Sequence, residues 1–296
     1  MTALPLILLL AAADPGDGLA KKMLPIYLKD AEGYSLAVES APKKALELKK
    51  EPVFEWSDSA REGFTTQGVV FVWLRAGRPA AIGSIYSEPE ERLKGRKVYH
   101  EFHALDAEKL LVTPPKGTLN EWKPEAGLVR KELLDAPAPA DTAAARLLQM
   151  KKLAAEFTGH GIDQQKKRVD MRLLPTPLYR YPTAKTGVID GALFTLVATA
   201  GTDPEILLLI EAKEEKGKVR WEFACGRFSD KSLYVQRKEK EVWALARGET
   251  NTWLRDPQHL FRVYPDRVVT LEGKVLARCR ATETAWWGDY FPAEDK

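Results

Sequence analysis

The stretch Gly191-Ala192-Leu193-Phe194-Thr195-Leu196-Val197-Ala198-Thr199-Ala200-Gly201-Thr202-Asp203-Pro204-Glu205-Ile206-Leu207-Leu208-Leu209-Ile210-Glu211-Ala212 decides the fold class. Two apolar runs of strand length flank a Gly-Thr-Asp-Pro turn, the pattern of a β-hairpin. Ile206–Ile210 is apolar without alternation. A strand of that kind needs cover on both faces, so the sheet must lie between two other layers. Just upstream, Asp190-Gly191 turns the chain, and Val219–Phe228 reads as a third strand.

The same grammar occurs earlier. Val69–Leu74 and Ala80–Tyr86 flank Ala76-Gly77-Arg78-Pro79, and a charged loop, Glu88–Arg96, leads to a third strand at Lys97–Leu105. The two halves align by order and spacing. Pro52-Val53-Phe54-Glu55-Trp56, Gly68, Phe71, the Gly77 turn and Glu101-Phe102 answer to Pro177-Leu178-Tyr179-Arg180-Tyr181, Gly191, Phe194, the Gly201 turn and Glu222-Phe223. A single three-stranded unit buries too little apolar area to be stable, so the repeat implies two copies enclosing a shared core. Further strands are expected at Tyr34–Glu39, Lys44–Lys50, Met171–Leu174, Leu233–Arg237, Val242–Ala246, Leu260–Tyr264, Arg267–Leu271 and Val275–Cys279.

Between the halves, residues 113–141 are rich in Pro, Gly and Ala and read as a linker. The best helical pattern follows, Ala143–Phe157, with Asp141 or Thr142 as N-cap and Gly159 to end it. Leu147, Met150, Ala154 and Phe157 form its apolar stripe, with Arg146, Lys151 and Lys152 on the other side. The expected fold is α+β, mainly antiparallel β, with two related sheet modules and one prominent helix between them. Its divisions are 1–13 a signal peptide, 14–112 the first module, 113–141 the linker, and 142–296 the helix, second module and a C-terminal extension.

Residues 1–13 contain no charged side chain. The apolar run Leu4–Leu10, followed by Ala11-Ala12-Ala13, is too short to span a bilayer and offers small residues for cleavage after Ala13. This reads as a secretory leader, which gives an exported protein, periplasmic or extracellular, that spans no membrane after processing. The 296 residues carry 45 basic and 42 acidic side chains, net +3, with the signs interleaved. That is a solvated surface and not a nucleic-acid footprint. Two cysteines, Cys225 and Cys279, allow either one bridge or two separate buried thiols.

The chemistry-bearing candidates are few. His100-Glu101-Phe102-His103 is one residue short of the zincin spacing, and in a strand its two imidazoles face opposite ways, so no metal is expected. Glu101 and His103 share a face and could pair as acid and base, or His103 is a hydrogen-bonded sheet histidine. No nucleophile elbow, dinucleotide fingerprint or phosphate loop occurs, and no cofactor is expected. Arg61, Arg180 and Arg227 sit beside sheet aromatics, where a guanidinium can clamp an anion or a sugar. The candidate ligand-binding set is Arg61, Glu101, His103, Arg180, Trp221 and Arg227. Trp286-Trp287-Gly288-Asp289-Tyr290-Phe291 could stack on carbohydrate or dock the tail.

The strings Phe54-Glu55-Trp56, Val70-Phe71-Val72-Trp73, His100-Glu101-Phe102-His103 and Leu178-Tyr179-Arg180-Tyr181 with Asp190–Phe194 resemble a group of uncharacterised exported proteins of planctomycete bacteria. The likeness covers roughly residues 45–245. It implies an exported bacterial protein and assigns no activity. The expected function is a non-catalytic binding or interaction protein, its partner a small molecule, a glycan or an envelope protein held in the groove between the sheet halves. The alternative is a small hydrolase using Glu101 and His103 with Arg61 as anion clamp.

Overall fold

The computed structural model describes residues 15–58, 66–116, 118, 121–125, 127–182, 187–248, 256–279 and 290–292. The chain begins α1 (Pro15–Glu32), β1 (Ser35–Val38), β2 (Glu47–Leu48), β3 (Phe54–Asp58), β4 (Thr66–Arg75), β5 (Arg78–Glu90), β6 (Gly95–Ala104), β7 (Leu110–Thr113) and β8 (Lys131–Glu132). It continues α2 (Ala143–Ala154), β9 (Phe157–Ile162), β10 (Arg168–Leu173), β11 (Tyr179–Arg180), β12 (Val188–Ala198), β13 (Pro204–Glu215) and β14 (Lys218–Arg227). Then come β15 (Ser232–Arg237), β16 (Lys240–Leu245), β17 (Phe261–Val269), β18 (Val275–Cys279) and β19 (Tyr290–Pro292). The leader, Arg61 and the Trp286-Trp287 pair lie outside the described residues.

Two curled antiparallel sheets carry the fold. The first runs β19-β18-β17-β6-β5-β4-β2, with β3 also on β4, and the second runs β16-β15-β9-β10-β12-β13-β14-β8, with β11 also on β12. Alternation along the strands divides their apolar side chains between two cores. Val70, Val72, Ile82 and Tyr99 of the first sheet meet Leu193, Leu207, Leu209 and Ala224 of the second in one shared interior. The opposite faces are covered by helices: Val69, Phe71 and Trp73 lie with Met23, Tyr27 and Ala31 of α1, and Phe194, Leu208 and Phe223 lie with Met150, Leu153 and Ala154 of α2. The layers are therefore helix, sheet, sheet, helix.

The duplication is visible in the ladders. Trp56 of β3 lies opposite Gly68, Gly68 opposite Tyr86, and Tyr86 opposite Tyr99. In the second sheet the Tyr181 N–H donates to the Gly191 carbonyl, Gly191 lies opposite Glu211, and Glu211 opposite Glu222. Both glycines serve the same purpose. A Cβ at Gly68 would come within 2.9 Å of the Trp56 ring, and one at Gly191 within 2.6 Å of the Tyr181 ring. Phe71 and Phe194, each three residues further on, both face their helix. This register makes Tyr99 the counterpart of Glu222, so the expected match of Glu101-Phe102 with Glu222-Phe223 is two residues out of step.

Other expectations shift as well. Residues 15–32 form a helix where no element is expected, despite Pro25 in its interior. The second helix stops at Ala154, and Phe157 opens β9 instead of extending the helix. Thr142 is its N-cap, its hydroxyl accepting from the Ala145 N–H at 3.3 Å. Arg146 does not face solvent. It donates from Nε to the wholly buried Asp190 at 3.1 Å, and Arg180 donates to the same carboxylate at 2.7 Å. Where two strands are expected, at Leu260–Tyr264 and Arg267–Leu271, there is one, β17 (Phe261–Val269), with a bulge at Pro265/Arg267. Within 113–141, Trp122 and Leu133 are buried, in the first and second helix-side cores respectively.

A charged assembly lies in the interior between the sheets. Glu211, 1% exposed, accepts from Arg78 at 2.7 and 2.6 Å, from Arg130 at 2.8 Å and from the Tyr181 hydroxyl at 2.9 Å. Burial alone would raise its carboxyl, but the bonds and charges of Arg78 and Arg130 outweigh that and hold it below the usual range. Arg78 belongs to the first sheet and Glu211 to the second, so the pair fixes how the two sit on each other. On the far side, Asp30 of α1 pairs with His100 at 3.0 Å and Arg267 at 2.8 Å, which pins that helix.

The second sheet curls until its ends meet. Lys131 on β8 donates from Nζ to the Val242 carbonyl of β16 at 2.9 Å. Arg227 on β14 donates from Nη2 to the carbonyls of Leu245 and Ala246, each at 3.1 Å. Side chains therefore bridge a seam that backbone hydrogen bonds would close in a complete barrel.

Because the two glycines admit the rings that cross them, Gly68→Ala and Gly191→Ala should each destabilise the protein by about 1–3 kcal/mol through overpacking. Gly18→Ala in α1, where an added Cβ meets nothing within 4 Å, should be neutral or slightly stabilising. Urea midpoints of the three variants test this, and equal midpoints would remove the proposed equivalence.

Candidate functional site

The seam opens onto a cavity of about 490 Å³, within the roughly 300–1,000 Å³ typical of small-molecule sites. Its walls come from both modules and from the segment between them. They include His103 of β6 and Phe261 of β17 from the first sheet, Gly226, Arg227 and Trp243 from the second, and Leu128 from the connecting segment. Among the described residues, Lys131 and His259 also line it. The described lining is thus mainly apolar, with His103, Lys131, Arg227 and His259 as its titratable basic side chains.

His103 is 2% exposed. Its Nδ1 lies 2.7 Å from the Ala104 carbonyl, which can only accept, so Nδ1 carries the proton and Nε2 keeps its lone pair. Burial lowers the imidazole to about 4, against a smaller upward pull from the Ala104 bond and with the Arg227 charge adding to the fall. It is a neutral imidazole at neutral pH. Gly226 lies against it: a Cβ there would sit 3.3 Å from His103 Nε2 and 3.3 Å from Leu128.

Arg227 is 4% exposed. Besides the two seam carbonyls, its Nη2 donates to the Lys231 carbonyl at 3.0 Å. Burial pulls its pKa down to about 10, and the nearby charge of Asp230 only partly opposes this. The guanidinium is a desolvated cation held in place by main-chain dipoles.

Of the six residues expected to contact ligand, the structure brings His103 and Arg227 to the cavity wall. Glu101 is buried on the same face of β6, opposite Ser84 and Val263, and is not among the lining residues. Arg180 and Trp221 serve the α2 side: Arg180 donates to Asp190 and to the Ala143 carbonyl, and Trp221 is core. Neither is among the residues that line the cavity. Arg61 lies outside the described residues. The Nδ1–H of His103 is held by the Ala104 carbonyl. The two histidines of the His100–His103 string face opposite ways, His100 toward Asp30 and Tyr34 and His103 toward the cavity.

Cys225 and Cys279 are free and buried. They stand on different sheets, β14 and β18, so the expected option of a bridge gives way to two thiols. Burial pushes each up to about 12. Among the described residues no group of three or more His, Cys, Asp or Glu could hold a metal ion, and no helix is long and apolar enough to cross a membrane. Nothing local marks Lys131, Trp243 or His259 as lining residues, because the packing that gathers them is non-local. No family model, curated protein or solved structure matches the chain.

The unfolded chain takes up a proton on His103 near pH 6.5, whereas the folded chain does so only near about 4. Its contribution is therefore complete above about pH 6.5 and is lost as pH falls toward 4, by up to about 3 kcal/mol at 1.36 kcal/mol per pH unit. His103→Gln should flatten that part of the stability profile, measured by urea unfolding from pH 7.5 to 4.5. An unchanged slope would rule out His103 as its source.

Proposed function

We propose that the chain is an exported, non-catalytic binding protein that holds an apolar small molecule in the cavity between its two sheet modules. The cavity itself supports this reading: apolar residues from both sheets and from the connecting segment line it, beside a few fixed polar groups. A glycan would need a polar lining, and Leu128, Trp243, Leu260 and Phe261 do not provide one. The hydrolase reading is weaker, since His103 is buried and neutral with its Nδ1–H on a backbone carbonyl. Export rests on the uncharged, alanine-ended leader of residues 1–13.

Two measurements test the reading. The neutral fluorophore N-phenyl-1-naphthylamine should bind saturably at one site per chain. Gly226→Leu, which places a side chain between His103 and Leu128, should weaken it roughly tenfold or more, a loss of about 1.4 kcal/mol or greater. Undiminished binding in a folded Gly226→Leu protein would move the site elsewhere. For export, the mass of the protein recovered from a secreting host should correspond to a chain beginning at Asp14, and a retained Met1-Thr2 end would refute it.

A further inference from the structure

The occupant's chemistry can be narrowed, on the premise that the cavity is a binding site. One atom of the wall is specific in what it asks of a ligand. His103 lines the cavity at 2% exposure, and its Nδ1–H is committed to the Ala104 carbonyl at 2.7 Å. Its Nε2 therefore carries a lone pair and no proton, so it can only accept. Burial, which lowers the imidazole to about 4, keeps it in that form at neutral pH. Among the described residues Nε2 has no hydrogen-bond partner. That edge of the ring faces Gly226, another lining residue, where an added Cβ would stand 3.3 Å from Nε2 and 3.4 Å from Cε1. Glycine at 226 thus leaves the edge uncovered. An acceptor withdrawn from water in this way gains most from a donor that arrives with a ligand.

We infer that the cavity takes an apolar molecule bearing a hydroxyl group, which donates to His103 Nε2 while the hydrocarbon part lies along Leu128, Trp243, Leu260 and Phe261. The hydroxyl completes a relay through the imidazole to the Ala104 carbonyl. In such a chain, acceptance at one ring nitrogen and donation at the other strengthen each other. An ether, a ketone or a carboxylate brings only acceptor oxygens and would set lone pair against lone pair. A hydrocarbon alone would fill the volume but leave Nε2 buried and unpaired, which a hydroxyl avoids. The hydroxyl oxygen can itself accept from a basic side chain of the same lining, such as Lys131.

The test is calorimetric titration of the full chain at pH 7 with 1-naphthol and with 1-methoxynaphthalene, which lacks the donor. His103→Phe keeps a planar ring and removes the acceptor. It should shift the ratio of the two affinities toward the ether by roughly tenfold or more, the size expected when a buried hydrogen bond loses one partner. Should the phenylalanine variant not fold, nitrogen-15 NMR of the wild-type chain decides. The unprotonated Nε2 resonance of His103 should move upfield on saturation with 1-naphthol and hold its place with 1-methoxynaphthalene. An unchanged ratio in a folded His103→Phe protein, an Nε2 resonance that responds alike to both compounds, or binding of the ether alone overturns the hydroxyl assignment and leaves the cavity reading intact. Absence of binding by both, with no saturable fluorophore site, overturns the two together.

Discussion

The meander strands are apolar on both faces, and that requirement for two covers organises the molecule. Ile206, Leu208 and Ile210 point to α2, while Leu207 and Leu209 point to the other sheet. The first module repeats the division, with Phe71 and Trp73 under α1 and Val70 and Val72 in the shared interior. Each such side chain contributes about 1.5–3 kcal/mol when fully buried. Neither sheet could retain those contributions on its inner face alone, so the sheets and their helices are stable as one assembly.

Into this greasy interface the chain inserts a carboxylate, Glu211, and meets it with guanidinium groups from the first module and from the connecting segment. A buried ion pair of this kind adds little net stability, because desolvation offsets its attraction, yet loss of one partner leaves an uncompensated charge. Its consequence here is positional. Apolar faces can slide over one another, but Arg78 reaches Glu211 in only one placement of the sheets. The cavity beside His103 and Arg227 depends on that placement.

Much of this was legible in the residues, and the failures have physical causes. Apolar runs bounded by Gly turns marked β4, β5, β12 and β13, and spacing alone marked the repeat. Its phase was missed by two residues in the third strand, since the anchor is the pairing of Gly68 with Trp56 and of Gly191 with Tyr181, not the Glu-Phe string. The first helix was obscured by Pro25 and by its glycines, although Met23, Tyr27 and Ala31 keep a four-residue step. Nothing local to Arg146 shows that a buried Asp190 awaits it. Composition marked 113–141 as a linker, but Trp122 and Leu133 weld parts of it into the cores. At the site, His103 and Arg227 stood out as polar residues in apolar strands. Lys131 and Trp243 did not, because only the curl of the second sheet brings them together, and His259 reaches the cavity from the segment before β17 of the first sheet.

The side-chain closure of the second sheet bears on solubility. A border strand normally offers a row of vacant main-chain acceptors on which a neighbouring molecule can lay its own backbone, the first step toward fibrils. Along β16, the carbonyls of Val242 and Leu245, with Ala246 just beyond, are already occupied by Lys131 and Arg227. The contacts that frame the cavity therefore also occupy acceptors that a second backbone would need in order to add to this border.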